Sequence, residues 1–533
     1  MFFENQGVFD LPNFALGQYQ MEKQMRAESV KDWFESTSAR YGDKKAITFL
    51  QNGQTETELT YSELNQDINQ FANILADLGV KKGDRVILFL QKSLAAVTAH
   101  FALQKTGVIA VPLNPGFKKN ELEYLINDAD ARLIISDSEK KELIRKIDPD
   151  IQILEISNKQ PYQELCFFRS ARKSLSGTDI SPEDPGLILY TSGTTGNPKG
   201  AVLTQGNLVC DAENIMMIWE ITEKDVLCHA LPLFHIHGLC FALHTALLSG
   251  AHILMFDHFE PETILRALSG KGDEYTCSVF MAVPAMYAKL MDSLEDRQLS
   301  FSHLRLMTSG SAPLLTKEFE RIVRTFGKEP LEREGMSETG MNFSNPLSGI
   351  RKPGSIGIPL PGVQVRIVSP ETLADVEPQQ VGEIWLKSPA ITPGYWRKPV
   401  ETQETFESGW FRTGDLGKID RDGYYYLTDR IRHIIITGGE NVSAREVEAV
   451  IDRTEGVAES AVVGIPDEKW GEKVVAAVMA EPDANLTDSD IKSVCRENLH
   501  NWKCPKEIVF VNEIPRNTMG KVLKEEVKKK FMN

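Results

Sequence analysis

The chain has 533 residues, 42% apolar and 25% charged, a balance that excludes disorder, collagen-like repeats and a disulfide scaffold. Its net charge is 59 − 75 = −16, so general nucleic-acid binding is excluded, although a local cationic cleft for a nucleotide is not. The seven cysteines form no CxxC, are odd in number and stand mostly in apolar runs, so they read as reduced, buried thiols of a cytoplasmic protein.

The first residues, MFFENQGVFDLPNF, show no basic segment before an apolar core, so no signal peptide is expected. No run approaches about eighteen apolar residues, and no transmembrane helix is expected. Apolar runs at Arg85–Leu90, Ala131–Ser136 and Gly186–Tyr190 predict buried strands. From Ala251 to Gly340 strand and helix patterns alternate: AHILMF then PETILRAL, CSVFMAV then PAMYAKLM, LRLMTSG then LLTKEFERIVRTF, then PLEREG. Continuous apolar strands separated by helices predict a parallel sheet covered on both faces, with ligands at the strands' carboxyl ends. Those ends carry the loops TSGTTG, MAVP, TSGSAP and GMSETG.

After about Arg351 the texture changes to alternating runs such as GVQVRIV, GEIWLKS and GYYYLTD, which predict antiparallel strands. Near Asp429 it changes again. Ser443-Ala-Arg-Glu446 reads as a capping box opening the helix REVEAVID. Two strands, a helix at DIKSVCREN and a last strand at KEIVFV complete a small α+β unit. The fold class expected is α/β: a large N-terminal domain (1–430) of parallel α/β subdomains plus a small β-barrel-like part, then a small mobile C-terminal α+β domain (431–533).

The strongest local signal is Tyr190-Thr-Ser-Gly-Thr-Thr-Gly-Asn-Pro-Lys-Gly200, directly after a strand. Its glycines let backbone N–H groups turn toward an anion. The hydroxyls of Thr191, Ser192, Thr194 and Thr195 add donors, and Lys199 adds a charge. It is not a Walker A loop, because Gly200 follows the lysine where Ser or Thr is required. The H-x-H spacing of His235 and His237 lacks a carboxylate or cysteine to complete a metal site.

YTSGTTGNPKG resembles the signature loop of the adenylate-forming enzymes: acyl-CoA synthetases, adenylation domains of peptide synthetases and beetle luciferases. Further motifs stand in the family's order: PLFHIHG (232–238), SGSAP (309–313), GMSETG (335–340), WFRTGDLG (410–417), DRIRHIIITGGENVSAREVE (429–448) and PRNTMGK (515–521). The resemblance covers essentially the whole chain. It implies an AMP-forming acid–CoA ligase that uses ATP, Mg2+ and coenzyme A: the acid's carboxylate attacks the α-phosphorus, pyrophosphate leaves, and a thiol then displaces AMP. Such chemistry needs positioning and charge neutralisation more than covalent catalysis.

By resemblance, Lys521 bridges carboxylate and α-phosphate during adenylation, and Glu338 holds Mg2+ with Thr194. The phosphate loop through Thr191, Ser192, Gly193, Thr194, Thr195, Gly196 and Lys199 holds the nucleotide, together with Gly310, Ser311 and Ala312 and with Glu334, Gly335, Met336 and Ser337. Asp415 and Arg430 take the ribose or phosphate. Arg432 is the hinge, and Gly438, Gly439 and Glu440 flank coenzyme A. One position departs from the family: Glu334 stands where an aromatic ring normally stacks on adenine, and a carboxylate cannot supply that stacking.

The acid itself is left open between two readings. FHIHGL and SETGMNFSNP are similar to malonyl-CoA synthetases, and a dicarboxylate needs a cation, for which Arg305 or His237 is the expected source. Phe241, Met281, Val283 and Met307 instead predict an apolar pocket for a medium-chain, alicyclic or aromatic acid, with His235 lining it or its approach. Two other activities stay open: loading of a separate carrier protein, and a degenerate nucleotide-binding module without catalysis. The resemblance also allows for a homodimer and for enzymes that acylate Lys521, which would remove its charge.

Overall fold

A computed structural model describes residues 29–157, 160–165, 177–191, 197–270, 276–294, 297–437, 440–467, 470–482, 484–517 and 520–532. Strands Arg85–Phe89, Ile109–Pro112 and Leu133–Asp137 are buried almost throughout, as expected of a parallel sheet covered on both faces. They form the middle of a seven-stranded sheet that ends at Gln152–Ile156 on one side. On the other side come Pro185–Thr191, Lys199–Thr204 and the two-residue strand Gly394–Tyr395. The phosphate loop joins Pro185–Thr191 to Lys199–Thr204, which pair antiparallel.

The alternation from Ala251 onward becomes a nine-stranded sheet. Val226–His229, His252–Phe256, Val279–Ala282, Leu306–Ser309 and Leu331–Met336 lie parallel. Leu331–Met336 then pairs antiparallel with Gly340–Ser344. Helix Leu94–Thr106, capped by Ser93, is apolar on nearly every face and buried along its length, as a helix enclosed by other elements must be. Its His100 meets His244, Nε2 to Nε2 at 2.7 Å, and one apolar core runs through both sheets.

The alternating runs after Arg351 form a five-stranded antiparallel sheet of Gln364–Val368, Gly382–Lys387, Trp410–Ile419, Phe406–Glu407 and Tyr425–Arg430. The chain then enters a fourth sheet with a core of its own, built from Ile434–Thr437, Glu440–Ser443, Val457–Asp467, Gly471–Ala480 and Glu507–Phe510. Only half of the predicted capping box forms. Ser443 Oγ accepts from the Glu446 N–H, but the Glu446 carboxylate turns away to take Lys503 Nζ at 2.7 Å from both oxygens. A charged partner outcompetes a backbone N–H for a carboxylate. The six cysteines within the described residues are unbridged. Among those residues no helix is long and apolar enough to cross a membrane.

Asp429, at the end of the third sheet, anchors the start of the fourth. Its carboxylate accepts from Ser443 Oγ at 2.8 Å and from the Arg445 N–H at 3.1 Å. Burial alone would raise its pKa, but the hydrogen bond from His433 and the charge of Lys524, with Arg445 and Ser443, hold it well below the usual carboxylate range. A group depressed in this way adds stability above its unfolded pKa of about 4 and loses it as pH falls. Asp429→Ala is expected to cost about 2–3 kcal/mol, since it strands buried donors. Chemical denaturation followed at pH 7 checks it, and a variant as stable as the parent would show that Asp429 anchors nothing.

Candidate active site

The carboxyl ends of the parallel strands converge. Leu306–Ser309 leads into Gly310-Ser311-Ala312, and Leu331–Met336 carries Arg333, Glu334, Gly335 and Met336. Gly310 and Gly335 are places where the backbone needs closeness. A Cβ on Gly310 would lie 2.7 Å from Arg333 Cζ, and one on Gly335 2.6 Å from the Gly340 carbonyl oxygen. Ser311 holds a positive φ of 69°, a strained conformation for a residue with a side chain, and its Oγ lies 3.3 Å from His237 Nδ1.

Arg333 is the residue that motif reading missed. It is 3% exposed, its guanidinium lies over the Phe241 ring at 5.1 Å, and Nε, Nη1 and Nη2 find no hydrogen-bond partner among the described residues. Burial pulls its pKa down to about 10, against the charges of Glu334 and Asp211. His237 Nε2 is also buried without a partner. Burial, and then the Arg333 charge, drives the His237 pKa well below its ordinary value, so this imidazole is neutral. His235 is likewise neutral, lowered by burial to about 4. His237, Phe241, Ser311 and Arg333 therefore form one cluster around a buried cation that feels the charges of Glu334 and Asp211 but has no hydrogen-bond partner among the described residues. A lone arginine in a run of charged residues, ERE, gave no local signal of this.

Arg305 corrects an expectation. Its Nε and Nη2 donate to the two oxygens of Asp225 at 2.7 and 2.6 Å, and its other contacts are the carbonyls of Trp219 and Glu220, each at 2.9 Å. It precedes the strand that opens into Gly310, so it stands at the amino end of the sheet while the cluster stands at the carboxyl end. Met307, with Arg305, lines a separate cavity of about 280 Å³. Met281 is buried in the strand beside Thr308.

A second cluster gathers round Glu338, which is 7% exposed. Thr191 Oγ1 and the Tyr395 hydroxyl donate to its Oε1 at 3.4 and 3.1 Å. Lys199 Nζ lies 5.5 Å from the centre of the Tyr395 ring. Strand Gly394–Tyr395 pairs with Val202 and Ala201, so Tyr395 reaches this site only through the tertiary fold. Ser337 precedes Glu338 in the same turn. Ser192, Gly193, Thr194, Thr195 and Gly196 lie outside the described residues, as do Gly438 and Gly439.

A third group sits on the antiparallel sheet. Asp415 and Arg430 are directly opposite in register, and Arg430 Nε donates to Asp415 Oδ1 at 2.6 Å. Arg432 lies in the short turn Ile431–His433 between the third and fourth sheets. Glu440 is exposed and pairs with Thr437. Lys521 is half-buried, its N–H donates to Asn517 Oδ1 at 2.9 Å, and a Cβ on the preceding Gly520 would lie 3.3 Å from Ala285 Cβ. The Gly520 backbone of the fourth-sheet unit thus rests against the start of helix Pro284–Leu294, which follows Val279–Ala282.

Comparison with known proteins agrees with this arrangement. The model of the AMP-binding enzyme family matches residues 34–396, and that of the AMP-binding enzyme C-terminal domain matches residues 446–521. An oxalate–CoA ligase of Arabidopsis thaliana is 31% identical over 95% of this chain and 99% of its own. A mitochondrial malonate–CoA ligase of Mus musculus is 35% identical over 89% of this chain and 87% of its own. Among solved structures, ATP-bound MatB from Rhodopseudomonas palustris superposes with a TM-score of 0.87, at 34% identity, over 95% of this chain and 99% of that one. The chain belongs to the AMP-binding enzyme family. It is an ATP-dependent, AMP-forming acid–CoA ligase.

The Arg305 geometry makes a direct prediction. Arg305→Ala should cost about 2–4 kcal/mol of stability, because it leaves the buried Asp225 carboxylate uncompensated. Thermal unfolding beside acid-dependence kinetics checks it: stability should fall while KM for the acid stays within about twofold.

Proposed function

We propose that the acid this chain joins to coenzyme A is a short dicarboxylate of malonate size, held by Arg333. The observation that carries the reading is the buried guanidinium, whose three nitrogens have no hydrogen-bond partner among the described residues. Burying such a cation alone costs several kcal/mol, and a carboxylate that accepts from it bidentately offsets that cost. His237 Nε2 and the Ser311 hydroxyl supply further polar contacts in the same cluster. The malonate–CoA ligase and MatB relatives support the same choice of acid.

With the distal carboxylate on Arg333, the proximal one is turned toward the nucleotide. Its oxygen attacks the α-phosphorus of ATP, a new P–O bond forms, and the bond to pyrophosphate breaks. Lys521 places an ammonium group where negative charge gathers in this step. The thiolate of coenzyme A then attacks the acyl carbon, and AMP leaves with the electron pair of the C–O bond. Asp415 is assigned to the ribose hydroxyls, and Lys199 with the Thr191 hydroxyl to the phosphates. Rotation of the small unit about Arg432 would bring Gly438, Gly439 and Glu440 to the pantetheine arm for the second step.

The donor set also fits Mg2+. Glu338 is a buried carboxylate that receives only hydroxyl donors and forms no ion pair with a lysine or arginine among the described residues, which suits a hard cation. Glu338, with Thr194, would hold the ion, which when bound neutralises phosphate charge. One observation favours a longer apolar acid instead: a cavity of about 430 Å³ lined by Leu88, Val97, Phe234 and Leu239 adjoins the PLFHIHG segment.

Pyrophosphate release with malonate, oxalate, acetate, octanoate and benzoate separates the readings. Malonate is expected to exceed acetate in kcat/KM by a hundredfold or more, and Arg333→Ala to erase that preference, lowering kcat/KM for malonate by about a thousandfold. Octanoate or benzoate as the best acid would overturn the dicarboxylate assignment. Lys521→Ala should slow acid-dependent ATP–pyrophosphate exchange about a thousandfold. The variant should convert supplied acyl-adenylate to thioester with a much smaller loss. Equal loss in both halves would remove the assigned role.

A further inference from the structure

Successive residues of a strand face opposite ways, and Leu331–Met336 thereby holds a pair of neighbouring charges apart. Arg333 turns to the acid cluster. Glu334 turns to the face that carries Asp415 and Arg430, and its Oε2 accepts from Asn342 Nδ2 at 3.1 Å. Arg430 is already committed to Asp415, through Nε at 2.6 Å and Nη2 at 3.4 Å. Glu334 therefore adds a second carboxylate near a guanidinium that Asp415 already holds, and the Arg333 charge on its own strand acts on it as well. Ionised, Glu334 brings a negative charge to this face; protonated, it brings none. Asn342 Nδ2 also donates to Thr339 Oγ1 at 2.7 Å, so the amide is fixed and cannot follow a change at Glu334.

We propose that Glu334 sets the affinity for ATP: as a neutral acid it admits the anionic nucleotide beside Asp415, and as a carboxylate it repels it. The inference rests on the reading of this face as the nucleotide pocket. An aromatic ring at the same place would add stacking and no charge, so Glu334 exchanges a constant attraction for one that depends on its proton. The groups facing Glu334 are Arg333 on its own strand, Asn342 on Gly340–Ser344, Asp415 on Trp410–Ile419 and Arg430 on Tyr425–Arg430. Burial first, and then Asp415, push its pKa up to about 7, against Asn342, Arg333 and Arg430. Since ATP favours the protonated form, linkage requires that binding ATP draw a proton onto the protein above that pH.

The experiment measures KM for ATP from pH 6 to 8.5 at saturating acid and saturating Mg2+, which keeps the ATP γ-phosphate ionised. The parent protein should show a rise of about tenfold between pH 6 and 8, the slope of one proton. Glu334→Gln should flatten that profile to within about twofold, and Glu334→Tyr should flatten it and lower KM at pH 8 by about fivefold or more. A flat profile in the parent, or the same rise in Glu334→Gln, overturns the proposal. Calorimetric titration of ATP at pH 7.5, in two buffers of different ionisation enthalpy, decides the matter without any variant. The parent should take up on the order of 0.7 proton per ATP, and no uptake overturns the proposal. If no acid is turned over at any pH, the ligase assignment fails instead, and the same ATP titration still tests Glu334.

Discussion

A carboxylate and a guanidinium that are neighbours in sequence would ordinarily pair or face water together. In Leu331–Met336 the pleat of the strand forbids this, because Arg333 and Glu334 emerge on opposite faces. Each then forms no ion pair among the described residues, although the two charges act on each other and Asp211 acts on Arg333. Arg333 meets Phe241, Gly310 and the neutral His237. Glu334 meets Asp415 and a guanidinium that Asp415 already holds. The fold could relieve both charges by a register shift of one residue, which would turn every side chain of the strand over. Pairing with Leu306–Ser309 on one side and Gly340–Ser344 on the other prevents it. The two unbalanced charges are thus fixed by a sheet, and a rigid sheet is what lets them act on ligands rather than on each other.

The remaining groups are arranged about this strand by elements distant in sequence. Thr191 comes from the carboxyl end of an inner strand of the seven-stranded sheet, Glu338 from the turn after Leu331–Met336 and Tyr395 from a two-residue strand, and the three meet through hydrogen bonds. Asp415 and Arg430 meet because antiparallel register sets them opposite. The small unit touches the large one differently. Lys317 Nζ donates to the backbone carbonyls of Val457 and Ala458 at 3.1 and 2.8 Å, and the Gly520 backbone lies close to Ala285. Charged side chains on carbonyls can be exchanged for water at little cost, whereas an interlocked apolar seam cannot. Such an interface is compatible with the proposed rotation of the small unit between two half-reactions.

What the sequence makes legible is uneven, for physical reasons. The parallel core was readable because apolar runs of five or six residues, separated by amphipathic helices, admit few other packings. The change of texture near Asp429 coincides with the passage from the third sheet to the fourth. Motifs singled out Glu338, Asp415 and Lys521, and the roles proposed for them rest on those short, specific strings. Arg333 was not readable: in the string ERE an arginine looks neutralised, and only burial without a partner distinguishes it. Arg305 misled for the opposite reason. It sits in an apolar run, where an arginine looks conspicuous, yet Asp225, eighty residues earlier, takes both prongs of its guanidinium. Tyr395 depends on a pairing between Gly394–Tyr395 and Lys199–Thr204 that no local pattern encodes. The departure at Glu334 was visible as a letter, but its meaning required the neighbourhood of Asp415.

If Arg333 holds the acid and Glu334 tunes the nucleotide, as proposed, the same strand links choice of acid to choice of nucleotide state. An acid without a second carboxylate leaves Arg333 buried and unpaired, and the cost of that persists through the transition state. Discrimination therefore falls on kcat/KM and not on binding alone. A dicarboxylate removes the cost, but it adds negative charge close to where a triphosphate must sit. Arg333 neutralises that charge on one face of the strand, and a protonated Glu334 avoids adding another on the opposite face. Were Glu334 ionised, the positive field of Arg333 would be divided between a resident carboxylate and an incoming one. Keeping Glu334 neutral leaves the guanidinium wholly to the acid, so the two side chains, though they point apart, are coupled through the charge each withholds from the other.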